Sequence, residues 1–391
     1  MSPVRAAIAI VDHLKGGHHP SYLRLWQAAM ERHGFDAHVL SQETVHGVAA
    51  HRMHTIHQRH ATALAGRHDA LGSWSLWRET VRWLTTVERT IGRRFDALAL
   101  PYADPWVLHN LPSWIVDRTI RRPWTGLLFH SPPVLLERAE RFGLGALACR
   151  TAAALAVFEE LPGLKRWPNT LPCGAPYPLP DVCEPFTEAS RERGRTMRQR
   201  WPLLAAGRAV VACVGRIARR KNIPALLRAV DTWGGPNRPF VVVAGEPAEA
   251  DLGEEWSAIR GWFTHADRGQ LLEGRLDDES FDACLSNADV VWGCYQNFAG
   301  SSNMIAKAAQ AGAAVLVNPG GAASGMAARC THVVVADDRS DVLLAESLRA
   351  CVYRHSRMSS EDRASLRRRF GPEALNEALL PVAAALRRRM P

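Results

Sequence analysis

Short apolar runs that pass into turns, most of them followed by a helical pattern, constrain this chain more than any other feature. The first, Arg5 to Val11, is continuous rather than alternating, as befits a parallel strand covered on both faces. Asp12 to Gly17 is a polar loop ending in two glycines, and Pro20 stands where a first helical residue belongs. Tyr22, Leu23, Leu25, Trp26, Ala29 and Met30 then recur at three- and four-residue spacing, which gives one apolar helix face running out at Gly34. Phe35 to Leu40, Ala97 to Leu100, Thr125 to Phe129 and Ala153 to Phe158 repeat the strand-like run, separated by helical patterns. The alternation predicts a parallel sheet with helices on both faces.

Prolines at 172, 176, 178, 180 and 185 interrupt this series without apolar periodicity, so a domain linker is expected there. A second series follows in Ala209 to Val214, Phe240 to Ala244, Val290 to Trp292, Ala314 to Val317 and Val333 to Ala336. The 391 residues suffice for two to three domains at ~150 residues each. The expected fold class is therefore α/β, two tandem Rossmann-like parallel-sheet domains: residues 1–180, a linker at 181–204, residues 205–371, and a C-terminal helix over 372–391.

Composition removes several alternatives. No stretch approaches the ~20 consecutive apolar residues of a membrane helix, and Asp12 follows the first apolar run too soon for a signal peptide. The eight cysteines include no C-x-x-C, which speaks against a zinc ribbon or a dense disulfide framework and fits a reducing cytoplasm. The net charge of +9 invites a nucleic-acid reading, yet the basic residues are dispersed and carry no interleaved aromatics, so no nucleic-acid partner is expected. Only Arg367 to Arg369 and Arg387 to Arg389 form runs: a solvated face, or a docking patch for anionic lipid at the inner face of the membrane. His51, His54, His57 and His60 recur every third position, but no carboxylate is interleaved and four such positions spiral around a helix, so a polar helix is expected rather than a metal site. Asp278 reads as the start of a helix over 279–287. No G-x-S-x-G, Walker A or G-x-G-x-x-G occurs, which disfavours hydrolase, P-loop and dinucleotide functions.

In open parallel sheets, ligands sit beyond the carboxyl ends of the strands, where turns and helix N-termini gather backbone N–H groups. The segment Gly215-Arg216-Ile217-Ala218-Arg219-Arg220-Lys221-Asn222 is such a turn. Gly215 lets the backbone bend tightly, and Arg216 and Lys221 are a pair of cations able to clamp a departing diphosphate; a basic surface loop is the plain alternative. The only lysines are Lys15, Lys165, Lys221 and Lys307. A second turn runs from Tyr295 to Asn303, where Gly300, Ser301, Ser302 and Asn303 offer N–H and side-chain partners for hydroxyls or phosphate, or simple capping, ahead of a helix over 304–311. A third is Asn318-Pro319-Gly320-Gly321.

From Val214 to Val317 these features resemble the donor-binding domain of GT-B glycosyltransferases of family 4: a strand, G-R-x-x-x-x-K, a strand ending in Ala244-Gly245-Glu246-Pro247, then Ala288-Asp289-Val290-Val291 and a glycine-containing loop and helix. Lys15-Gly16-Gly17-His18 is similar to the family's glycine turn after the first strand, Phe129-His130-Ser131 to its strand-borne histidine, and Pro168-Asn169 to its motif ahead of the linker. The resemblance implies a GT-B architecture whose last helix packs back on the first domain, and glycosyl transfer from a nucleotide diphosphate sugar to a hydroxyl or amine of a glycan, lipid-linked or small-molecule acceptor. It implies that Arg216 and Lys221 stabilise the leaving diphosphate without a metal or resident cofactor, and that His130 contacts the sugar. Gly16 and Gly17 would face phosphates or acceptor, with His18 a base, an acceptor contact or merely a helix-entry residue.

One departure stands out. The family carries two glutamates eight residues apart around the second glycine loop, yet no carboxylate occurs between Asp289 and Asp337. Ala299 and Lys307 occupy the equivalent positions, and a lysine cannot accept hydrogen bonds from ribose. Lys307 is therefore expected to meet an anionic or carbonyl group of the donor, or to reach solvent over its helix. A binding subunit without turnover, or a sugar phosphorylase or epimerase on the same fold, remain the alternatives.

Overall fold

The computed structural model describes residues 5–14, 19–56, 70–107, 112–129, 149–159, 171–200, 207–235, 237–296, 303–320 and 322–390. The chain divides into two compact units, one of residues 1–180 and 372–391, the other of residues 181–371.

In the first unit the strands are β1 (Ala7–Asp12), β2 (Asp36–Ser41), β3 (Met53–Thr55), β4 (Ala97–Leu100), β5 (Trp124–Leu128), β6 (Ala152–Phe158) and β7 (Tyr177–Leu179). They form one sheet in the order β3-β2-β1-β4-β5-β6-β7, every described pairing parallel. The helices are α1 (His19–Arg32), α2 (Ala70–Ile91), α3 (Asp104–Val107) and α4 (Ser113–Ile120). The order reverses direction between β1 and β4, which opens a crevice at the strands' carboxyl ends.

The second unit repeats the plan with β8 (Val210–Val214), β9 (Phe240–Gly245), β10 (Gly269–Glu273), β11 (Val290–Gly293), β12 (Ala314–Val317) and β13 (Val333–Val335). Their order is β10-β9-β8-β11-β12-β13, again parallel, with the reversal between β8 and β11. Its helices are α5 (Glu188–Gln199), α6 (Ile223–Trp233), α7 (Glu249–Leu252), α8 (Glu254–Trp262), α9 (Asp278–Ser286), α10 (Met304–Ala311), α11 (Asp341–Arg357) and α12 (Ser360–Arg369). The apolar runs are unbroken because both faces are covered: Val210, Ala212 and Val214 enter one core cluster, Val211 and Cys213 the other.

The last helix, α13 (Pro372–Arg389), belongs to the first unit and packs on α1, β6 and β7. His33 Nε2 meets the Asn376 carbonyl at 2.8 Å, and Leu375, Leu379, Val382 and Leu386 are buried.

Some expectations need correction. The proline-rich stretch contains β7, an edge strand on β6 in which Pro178 is tolerated because an edge strand leaves one side of the ladder unpaired. Residues 181–204, expected as a linker, carry α5, capped by Thr187 and packed on α9. The histidine-repeat helix is absent where residues are described: Ala50–Arg52 forms a short 3-10 turn and His54 lies in β3, stacked on His38 with ring centroids 5.3 Å apart. His57 and His60 lie outside the described residues.

The arginine runs, expected to face solvent or lipid, largely serve carbonyls at home. Arg389 donates to the Arg150 and Pro172 carbonyls (3.3 and 2.9 Å), Arg367 to Gln310 (3.2 Å) and Arg369 to Arg329 (3.2 Å), while Arg387 lies over the Phe35 ring. Among the described residues no helix is long and apolar enough to cross a membrane.

Candidate functional site

At the reversal point of the second sheet, β8 is followed by Gly215 with φ +98, a positive-φ conformation that glycine adopts without strain. Beside it, a Cβ on Gly245 (φ +150) would stand 2.2 Å from the Gly215 carbonyl oxygen, so the turns after β8 and β9 approach this closely only because Gly245 lacks a side chain. Hydrogen bonds lock them together: Gly215 N to Ala244 O, Ile217 N to Glu246 O and Ala248 N to Ile217 O, each 2.8 Å. Arg216, held between, is exposed, and its guanidinium has no partner among the described residues.

Lys221, expected as the second cation of a clamp or as part of a basic surface loop, is only 4 % exposed. Its ammonium donates to the Val214 carbonyl and lies 5.3 Å from the centroid of the Tyr295 ring. The turn folds it inward because its backbone is anchored from β11: Trp292 Nε1 donates to Lys221 O (2.8 Å) and Gln296 N to Arg220 O (2.7 Å). Burial pushes the Tyr295 phenol up, with Lys221 pulling the other way. The two cations thus have different places, Arg216 in solvent and Lys221 as a buried charge 3.3 Å from where a Gly215 Cβ would be. Such a turn presents N–H groups and positive charge where an anionic leaving group could sit.

Asn303 and Lys307 have internal partners. Asn303, left-handed at φ 48, donates from Nδ2 to Asp181 Oδ1 (2.8 Å) and to the Val182 carbonyl (2.9 Å), which ties the start of α10 to the segment before α5. Lys307 Nζ meets Asp282 Oδ1 of α9 at 2.6 Å, with the Phe186 and Phe281 rings each 5.4 Å away. Burial raises the Asp282 carboxyl even though Lys307 opposes the shift. The lysine expected to meet a donor therefore faces a carboxylate of its own unit. Asp277, rather than Asp278, is the N-cap of α9, accepting from Ser280 N at 2.6 Å. Gly16, Gly17, His18, His130, Gly300, Ser301 and Ser302 lie outside the described residues.

The reversal point of the first sheet holds a pair that sequence reasoning missed. Asp12, the last residue of β1 and 1 % exposed, accepts from Leu14 N (2.9 Å) and from His19 Nδ1 (2.7 Å), at the first residue of α1. Burial works against a charged His19, but the hydrogen bond and charge of Asp12, with Glu43 beyond, outweigh it and hold the imidazole above its ordinary value. Tyr102 packs edge-on against His19, and burial together with Asp104 and Asp12 pushes its phenol up. Asp104 Oδ2 accepts from Phe129 N at 2.8 Å, fixing the backbone beside His130. His13, by contrast, is a core residue: it stacks on Trp83 with centroids 3.9 Å apart, meets Thr80, and is driven by burial to about 3. The available signal for the missed pair was a carboxylate directly after a continuous apolar strand, since a charge at a buried strand's end needs a partner.

No protein-family model matches the chain, and no curated protein matches it by sequence. Solved structures do match in fold. A glycosyltransferase from Rickettsia africae ESF-5 superposes with a TM-score of 0.66 at 9 % identity, covering 98 % of each chain. Sucrose-phosphate synthase from Thermosynechococcus elongatus gives 0.67 at 16 % identity over 98 % of this chain and 100 % of its own. Anabaena HepE, solved in complex with UDP-glucose, gives 0.62 at 14 % identity over 97 % and 99 %. The chain has the two-domain Rossmann-like GT-B fold.

Proposed function

We propose that the chain is a glycosyltransferase that moves a sugar from a nucleoside diphosphate donor to a hydroxyl or amine acceptor. The observation that carries this reading is the exposed Arg216 guanidinium, set by two interlocked glycine turns at the second reversal point with the Lys221 charge buried behind them. In such a transfer the bond from the anomeric carbon to the phosphate oxygen breaks, its electron pair leaves with the diphosphate, and the acceptor atom bonds to the oxocarbenium-like carbon. Cations fixed in advance at the diphosphate favour the transition state, where charge is growing, over the ground state. That role needs no metal, so transfer is expected to persist in excess chelator.

The proton lost by the acceptor goes to a base, and the Asp12–His19 pair suits that task because the carboxylate fixes the imidazole's orientation and stabilises its charged form. The binding of UDP-glucose by HepE supports the donor class. The Lys307–Asp282 pair, standing where the resemblance places a glutamate, favours a second reading: a nucleotide-binding subunit without turnover.

A thermal-shift screen across nucleoside diphosphate sugars tests the proposal, because a ligand that binds only the folded chain raises its midpoint. At least one donor should stabilise the parent and lose that effect in Arg216→Ala. Stabilisation with no sugar transferred to any acceptor would favour the binding subunit, and no stabilisation by any donor would contradict both readings.

A further inference from the structure

A second charged feature of the first unit lies at the opposite end of its sheet from Asp12 and His19. Between the last turns of α2 and α4 and the segments entering β4 and β5 is a recess of about 560 Å³ lined by Arg89, Arg93, Arg94, Arg118, Arg121 and Arg122. Its one carboxylate, Glu88, is taken by Arg122 at 2.6 Å. Arg93 is shared between Asp36 and Asp96 (3.4 Å each). The side chains of Arg89, Arg94 and Arg118 have no hydrogen bond or ion pair among the described residues, and Arg121 spends only its Nε, on the Arg118 carbonyl (3.1 Å). Complementing helix dipoles accounts for Arg89 and Arg118, which sit in last turns, but not for Arg94 and Arg121. Arg89, Arg94, Arg118 and Arg121 are all exposed, so solvent screens their mutual repulsion, and what the concavity offers an anion is several uncommitted guanidiniums around one recess.

We propose that this recess binds a soluble molecule bearing two or more phosphate groups. Guanidinium forks pair with phosphate oxygens two at a time, and the volume falls within the range of small-molecule sites. A bilayer, being flat, would reach only the rim.

Calorimetric titration of the full chain with inorganic tripolyphosphate tests this, on the parent and on Arg94→Glu, Arg118→Glu, Arg216→Ala and Arg368→Glu. Arg368 is exposed, and its side chain has no partner among the described residues, so it controls for net charge. Saturable binding should weaken at least tenfold in the first two variants and stay unchanged in Arg368→Glu, while Arg216→Ala should at most remove a second, separate binding phase belonging to the strand-end turn and leave the recess's phase in place. Loss in Arg216→Ala alone would put the probe at the strand-end turn and overturn the proposal while leaving the transferase reading intact. Equal weakening by all three glutamates would reduce the effect to net charge and overturn it. Phosphatidylglycerol vesicles captured through Arg94 and Arg118, without tripolyphosphate binding, would assign the recess to a membrane and overturn it too.

Discussion

Arg216 and Lys221 stand in one turn but meet opposite surroundings, which separates binding from folding. Arg216→Ala removes an exposed charge with no internal partner, so it should weaken nucleoside diphosphate binding by about 1.5–3 kcal/mol and leave the melting midpoint unchanged. Lys221→Ala should instead destabilise the chain by roughly 1–3 kcal/mol, because it strands the Val214 carbonyl and uncovers the Tyr295 ring; paired calorimetry and denaturant titration check both. A midpoint unchanged in Lys221→Ala would contradict its buried role. Lys307→Glu sets a carboxylate against Asp282, and the uncompensated pair should cost about 3 kcal/mol, read as a lowered denaturant midpoint. The residue types of the turn are legible in the chain. Lys221's burial is not, since it depends on Tyr295, distant in sequence and carried in just after β11, to cover it.

The strands divide by position in their sheets. β1, β4, β5 and β6, and β8, β9, β11 and β12, are covered on both faces and read as unbroken apolar runs. The strands that escaped sequence reading, β3, β7 and β10, all lie at sheet edges, where one side of the ladder is unpaired and polar residues and proline are tolerated. β10 accordingly reads Gly269-Gln270-Leu271-Leu272-Glu273, with only Gly269 buried, and β7 contains Pro178. At the same scale, the β8 and β9 turns must move as one. Gly245→Ala drives a Cβ into the Gly215 carbonyl and should cost about 1–3 kcal/mol and displace Arg216, lowering donor affinity as well. Gly253→Ala, which also has positive φ (56, with ψ −129) but nothing within 4 Å, is the control: it should cost about 1–3 kcal/mol through backbone strain alone and leave donor affinity unchanged. Equal effects on donor affinity from both substitutions would mean that contact with the Gly215 carbonyl is not what matters.

Across the whole molecule, buried histidines set the response to acid. Burial holds His13 at about 3 and His332 at about 4, so both stay neutral in the folded chain. The unfolded chain takes up these protons below about pH 6.5, and stability should therefore fall as pH drops from that value toward the folded ones. His19 has the opposite sign: its folded value is raised, so its contribution is full below about pH 6.5 and lost as pH rises through the raised value. Denaturant midpoints across pH should show a steep acid limb that is shallower in His332→Gln, and an alkaline decline missing in His19→Asn.

Two parallel sheets of like strand order each carry one candidate feature at the reversal point, an oriented imidazole in the first unit and a glycine turn with an exposed cation in the second. The most direct measurement is formation of free nucleoside diphosphate from a panel of nucleotide sugars and acceptors, by the parent, Arg216→Ala and His19→Asn. The account predicts acceptor-dependent release by the parent with at least one donor, a loss of at least tenfold in Arg216→Ala, and a loss in His19→Asn that shrinks as pH rises. Release that is the same in Arg216→Ala as in the parent, or none with any donor, would contradict it.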